Sequence, residues 1–226
     1  MDIRNVLVAD AVDEACVALL QRHSIQVDCK YKLSKEQLIQ AIQNYDAIVV
    51  RSDTKVGAEV IQAGSRLKAI GRAGAGVDNI DVNAATARDV VVLNTPGGNA
   101  ISACELTCAL IANLARNVAA ASASLKAGRW DRKLYAGREL SGKTLAIIGL
   151  GRIGKEEPPT NPVTLELIAH DKVVATPHLG ASTAEAQVRV AVEVAEQLIA
   201  LTGRSPEYKS TSGVINRAVL EKLTTA

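Results

Sequence analysis

The chain has 226 residues and a formal net charge of +2 with acids and bases interspersed, so no basic face marks it for nucleic acid. Hydrophobic residues make up 48% but aromatics only 2%, with no Phe, so the core must be built from Val, Ile, Leu and Ala, which suits parallel strands covered by helices. No apolar run approaches the ~20 residues needed to cross a bilayer. The first ten residues also lack the basic-then-apolar pattern of a secretory leader, so a soluble, cytoplasmic protein with no membrane partner is expected.

Strand-like runs alternate with helical patterns from the start. Residues 6–9 form a short apolar strand, and Val12, Ala15, Cys16, Leu19 and Leu20 recur at helical spacing. Residues 25–29 read as a second strand. Ser34 and Gln37 have the spacing of a capping box ahead of Leu38, Ile39 and Ile42. Residues 47–50, 67–70 and 90–93 are further strands separated by helix-sized pieces. This alternation predicts a parallel α/β sheet with right-handed crossovers.

After Pro96-Gly97-Gly98 comes a long Ala-rich helical stretch with Ser102 and Glu105 as its cap. It is apolar on most sides, which predicts burial between two bodies of structure. A second helical piece ends near Gly128, and the charged loop 129–140 holds the single Trp. Residues 144–149 form a strand that runs into Gly149-Leu150-Gly151-Arg152-Ile153-Gly154. Such glycines make a tight turn and let the backbone approach a pyrophosphate at a helix N-terminus. Pro158 and Pro159 then limit that helix to hardly more than a turn.

Near the end, Ser182 and Glu185 repeat the capping-box spacing. Val188, Ala191, Val192, Ala195, Leu198 and Ile199 mark one helix face, stopped by Gly203. From Arg204 the chain is polar and is expected to be loosely held, with no separate regulatory domain.

Four cysteines (Cys16, Cys29, Cys104, Cys108) show no CxxC spacing. Cys104 and Cys108 share a helix face, where small buried thiols are expected rather than a metal site. Asp171 lies at the spacing of a ribose-binding acid beyond the glycine turn, but it precedes the strand 172–175 and reads as a turn residue. His178 directly follows that strand, where parallel α/β proteins place their ligands. A histidine with a carboxylate partner is a natural proton acceptor near neutral pH, and Glu157 is the candidate partner.

Several motifs together resemble the D-2-hydroxyacid dehydrogenase family. They are Val50-Arg51-Ser52, Gly71-Arg72-Ala73-Gly74-Ala75-Gly76-Val77-Asp78-Asn79 and Asn94-Thr95-Pro96-Gly97-Gly98-Asn99. To these add the 149–154 turn, Glu156-Glu157-Pro158-Pro159 and Pro177-His178-Leu179-Gly180-Ala181-Ser182-Thr183. The resemblance implies a flavodoxin-like parallel-sheet substrate domain (1–97, with the helix 184–203 packing back on it) and a truncated Rossmann-type NAD-binding domain (98–183), ahead of a polar tail (204–226).

It also implies roles. His178 would take the hydroxyl proton of a small-molecule 2-hydroxy acid while hydride leaves for NAD, and Glu157 would pair with His178. Arg51, Ser52, Gly74 and Asn99 would lie along the substrate. Gly149, Gly151, Arg152, Ile153, Gly154, Ala75, His178 and Gly180 would line the cofactor. The runs 94–99 and 178–183 point to 3-phosphoglycerate as the substrate, on the way into serine synthesis. A homo-oligomer, or association with a full-length subunit, is implied as well.

The chain departs from the family between Gly154 and Glu156, where Lys155 alone replaces most of the dinucleotide domain. The strand-end acid for the ribose, the middle strands and the motif bearing the catalytic arginine are missing. Two readings therefore stand: a dehydrogenase, or a catalytically inactive dimerising variant of one. Strands 145–148 and 173–176 are expected to pair in parallel beneath a helix at 163–169, which meets the crossover length a parallel pair needs.

Overall fold

The computed structural model describes residues 1–144, 176 and 179–225. The expected pairing of 145–148 with 173–176, the helix at 163–169 and the turn at Asp171 lie outside those residues. The chain divides into two compact units, Met1–Asn99 with Thr183–Ala226, and Ala100–Ser182.

The first unit is built on five parallel strands, β1 (Asn5–Val8), β2 (Gln26–Cys29), β3 (Ala47–Val50), β4 (Ala69–Arg72) and β5 (Val91–Asn94). Their order is β2-β1-β3-β4-β5, the flavodoxin-like arrangement. The register sorts the side chains into two layers. Val6, Ala47, Ala69 and Val91 lie in one row across β1, β3, β4 and β5, and Leu7, Ile48, Ile70 and Val92 form the next row. Because strand side chains alternate, the first row joins the core beneath one set of helices and the second joins the core on the opposite face.

Helices α1 (Glu14–Arg22), α2 (Lys35–Ile42), α3 (Ala58–Ala63) and α4 (Val82–Ala87) link the strands. Side-chain caps set the starts of α1, α2 and α4, whereas α3 starts at Gly57 without one. Asp13 accepts from the Ala15 N–H and Asp81 from the Ala84 N–H, and Ser34 with Gln37 completes the expected capping box.

The long C-terminal helix α7 (Ala184–Thr202) packs against α1 and the β4–β5 end of the sheet. It starts one residue later than the capping pattern predicts: Thr183, not Ser182, accepts from the Ala186 N–H. Its buried face carries Val190, Val194, Leu198 and Ile199, each worth about 1.5–3 kcal/mol on burial. Val188, assigned to that face from its spacing, is 41% exposed. Gly203 ends the helix in the left-handed conformation at φ +66°.

The tail is not loosely held. Leu93 and Val214 form an antiparallel bridge, with the Asn94 N–H donating to the Gly213 carbonyl and the Ile215 N–H to the Val92 carbonyl. The outer edge of β5 is thus covered. The chain then enters α8 (Arg217–Thr225), which buries Val219. Composition hid this, because a few specific contacts hold an otherwise polar segment, among them Asn216 accepting from the Val92 N–H and donating to the Val90 carbonyl.

The second unit contains α5 (Ala100–Arg116) and α6 (Val118–Lys126), bent by 65° at their junction, where Asn117 sits at φ +54°. No single described helix is long and apolar enough to cross a membrane. Helix α5 begins two residues before Ser102, so Ser102 is a helical residue and not the expected cap. Nor is α5 buried on most sides: Ile101 is 63% and Leu114 47% exposed, and Ser102 is the buried residue. Cys104 and Cys108, expected to be buried thiols, are exposed. Beyond α6, the loop with Trp130 (74% exposed) runs back so that the Arg138 N–H donates to the Ala115 carbonyl.

Candidate active site

The carboxyl ends of parallel strands are where an α/β sheet presents its loops to a ligand. Arg51 and Ser52 follow β3, Gly74 and Ala75 follow β4, and Asn99 closes the loop after β5. Three residue sets tie these loops into one surface of the first unit.

Asp10, at the end of β1 and only 6% exposed, accepts at Oδ2 from the Arg51 N–H (2.6 Å) and the Thr54 N–H (3.1 Å). Its Oδ1 accepts from the Thr54 hydroxyl at 2.6 Å. Asn79, from the loop after β4, donates its Nδ2 to both the Arg51 and the Thr54 carbonyls at 2.7 Å. The Thr95 N–H donates to the Gly74 carbonyl at 3.0 Å, and the Asn94 side chain donates to the Ala75 carbonyl. Arg51 is therefore gripped through its backbone from two sides, which leaves its half-buried side chain available for binding.

Gly74 sits at φ +150°, which only glycine adopts readily, and an added Cβ would overlap the Arg72 guanidinium folded against it. Three buried side-chain oxygens in these loops (Asn79 Oδ1, Thr95 Oγ1 and Asn99 Oδ1) have no hydrogen-bond partner among the described residues. Buried polar groups in native proteins are nearly always satisfied, so these loops carry unmet acceptors at the strand ends.

The structure thus brings Arg51, Ser52, Gly74 and Ala75 into one tied loop system with Asn99 at its edge. Gly180 lies in the other unit, half-buried beside Ala103. Gly149, Gly151, Arg152, Ile153, Gly154, Glu157 and His178 lie outside the described residues. Asp10 and Thr54 were missed by sequence reasoning. The available signal for Asp10 was an acid directly after an apolar strand at the β1/β3 switch point of this strand order.

The clearest titration shifts lie away from this edge. Burial pushes the Cys16 thiol up to about 12, so it is an inert core residue. Burial also raises the Asp46 carboxyl, at the amino end of the sheet. The Arg4 and Asn5 N–H groups and the Lys68 ammonium outweigh that effect and leave it below the usual carboxylate range.

Known proteins share this architecture. A crystal structure of the TT0316 protein from Thermus thermophilus superposes with a TM-score of 0.76 at 21% identity, over 93% of this chain and 99% of that one. An NAD+-bound 3-phosphoglycerate dehydrogenase from Entamoeba histolytica gives a TM-score of 0.66 at 20% identity, over 92% and 98%. At these identities the likeness establishes the fold.

In sequence, residues 6–210 match the catalytic domain of the D-isomer specific 2-hydroxyacid dehydrogenases, and the chain belongs to that family. The D-3-phosphoglycerate dehydrogenase of Rattus norvegicus is 43% identical over 216 residues, 95% of this chain and 40% of its own length. That of Archaeoglobus fulgidus is 43% identical over 224 residues, 97% of this chain and 41% of its own. The chain spans about two-fifths of the length of these relatives.

Proposed function

We propose that this chain is an NAD-dependent dehydrogenase that oxidises the 2-hydroxyl of 3-phosphoglycerate to give 3-phosphohydroxypyruvate. The observation that carries the reading is the tied loop system with its three unpartnered buried oxygens, at the strand ends where the family motifs fall. Relatives at 43% identity that bear the name D-3-phosphoglycerate dehydrogenase support the choice of substrate.

Arg51 offers a guanidinium suited to a carboxylate or phosphate, since its planar fork gives paired hydrogen bonds. Asn99, on the loop after β5, would lie along the substrate, and its Oδ1 is an acceptor without a partner among the described residues. His178 accepts the proton of the 2-hydroxyl and Glu157 holds the imidazole that gains it.

Within the first unit, the residue that fits NAD is Ala75, small, uncharged and half-buried, which lets a flat ring approach closely. Gly149, Gly151, Arg152, Ile153 and Gly154 would hold its phosphates. NAD, when bound, supplies the hydride acceptor. Four free cysteines fit a reducing, cytoplasmic compartment. The exposed apolar residues Ile101, Leu114, Val118 and Leu125 on α5 and α6 favour association with a second copy or a full-length subunit.

The test is NADH formation by the purified chain with NAD and 3-phosphoglycerate, with Arg51→Gln as the control that raises KM. No turnover, together with co-purification of an intact subunit, would establish instead the catalytically inactive dimerising variant. That reading draws on Lys155 standing alone between the glycine turn and Glu156.

A further inference from the structure

A cleft of about 660 Å³ opens in the first unit between the loop after β2 and the loop after β3, beside the loop system described above. That volume falls within the range of small-molecule sites, roughly 300–1,000 Å³. Its inner wall is apolar, from Ala9, Leu33, Leu38 and Val60. Charged groups line the mouth, and each of the three acids among them has a partner. Asp10 accepts three hydrogen bonds from Arg51 and Thr54. Glu59 is paired with Lys35 at 2.7 Å, and Asp53 accepts from the Ser52 hydroxyl.

Two further ammonium groups, Lys32 from the β2 side and Lys55 from the β3 side, are exposed at the mouth. Neither has a carboxylate within ion-pair distance among the described residues. Lys32 is held at φ +55°, a conformation uncommon for a lysine, and this fixes where its lip stands.

We propose that this cleft is a binding site for a small carboxylate with an apolar body, aromatic or branched aliphatic, next to the candidate active-site loops and sharing Asp10 and Thr54 with them. The apolar portion sits against Leu33, Leu38 and Val60 while the carboxylate meets Lys32 and Lys55. A purely polar anion would leave the inner wall wet, and a neutral apolar molecule would leave the two ammonium groups unanswered.

Occupancy is also felt at Arg51. Thr54 lines the cleft, and its N–H and hydroxyl bind the same Asp10 carboxylate that accepts the Arg51 N–H. A ligand that shifts Thr54 moves the backbone of Arg51 through one shared carboxylate. The site stands whether or not the dehydrogenase reading holds, because it uses none of the residues assigned to substrate or cofactor.

The experiment is a titration of the full, isotope-labelled chain with phenylacetate, followed by amide chemical shifts. Saturable shifts at Leu33, Thr54 and Gly57, with a smaller one at Arg51, are expected. Phenylacetamide and inorganic phosphate should each bind far more weakly than phenylacetate. The Lys32→Asn/Lys55→Gln double variant, with asparagine chosen because it tolerates positive φ, should bind phenylacetate about threefold or more weakly.

Absence of saturable shifts at those amides overturns the proposal. So does equal affinity for the neutral amide, which would mean no charge recognition. Equal affinity for phosphate would mean that the apolar wall is not used. The two comparisons on the unaltered chain decide the matter even if the double variant folds poorly.

Discussion

Gln197 donates its side-chain amide to the Asn94 carbonyl at 2.8 Å, from a position on α7 that is 1% exposed. Its Oε1 accepts the Gly213 N–H at 2.8 Å, so one buried amide joins the end of β5 to the returning C-terminal segment. Gly213 has no room for a Cβ, which would overlap the Asn94 carbonyl oxygen. Replacing Gln197 by Leu strands a backbone donor and a backbone acceptor, at about 1–3 kcal/mol for each group left unsatisfied. The expected outcome is that residues 211–225 detach and rewet those groups. Hydrogen exchange should show protection lost at Ile215 while the β3 amides stay protected. Unchanged exchange at Ile215 would refute the role given to Gln197.

Gly74→Ala should be costly out of proportion to one methyl group. The backbone there is at φ +150°, and the new Cβ would collide with Arg72. Strain of this kind costs about 1–3 kcal/mol. Denaturant unfolding measures the loss, and a variant as stable as the parent would show that the loop relaxes freely. If the proposed function holds, KM for 3-phosphoglycerate should also rise, because the Gly74 carbonyl anchors Thr95 at 3.0 Å.

Asp46 gives a pH signature. Its side chain is 2% exposed, and Oδ2 accepts from the Arg4 and Asn5 N–H groups at 3.0 Å, while Oδ1 lies 3.2 Å from Lys68 Nζ. Its carboxyl is held below the usual range, so the stabilisation is complete above the unfolded-chain value of about 3.9 and is lost as pH falls through the folded value. Asp46→Asn should cost about 1.5–3 kcal/mol near neutrality, the scale of hydrogen bonds to a charged group. The gap between variant and parent should hold steady down to about pH 5 and narrow below about pH 4. A gap that widens in acid would contradict the sign of the shift.

Asp10→Ala should loosen Arg51 without touching its side chain. The carboxylate accepts two N–H groups and one hydroxyl from the loop after β3, and all three lose their partner together. Thermal unfolding should fall by several degrees, consistent with about 1–3 kcal/mol. If Arg51 binds substrate, KM should rise more than kcat falls. Wild-type KM in this variant would place substrate recognition elsewhere.

Much of this was legible in the chain itself, for reasons that differ by element. Residues 47–50 are a continuous apolar run and become a central strand buried on both faces, with bounds as read. Ser34 and Gln37 form the capping box that their spacing implied. At α7 the same pattern at Ser182 and Glu185 misled by one residue, because neighbouring Thr183 can cap equally well and packing chose the register. Apolar composition around α5 gave no means of telling a buried helix from one whose apolar side faces outward. Motifs placed Arg51, Ser52, Gly74 and Asn99 in the loops at the strand ends, where the structure has them. Asp10 and Gln197 were not, since a lone acid and a lone amide show their purpose only when distant loops converge on them.

Trp130 is the single indole of the chain, and it stands 74% exposed. Its emission should be that of a water-bathed indole, shifting to shorter wavelength whenever anything comes to rest on residues 129–140. The molecule therefore carries an unlabelled optical gauge of whatever settles on that loop.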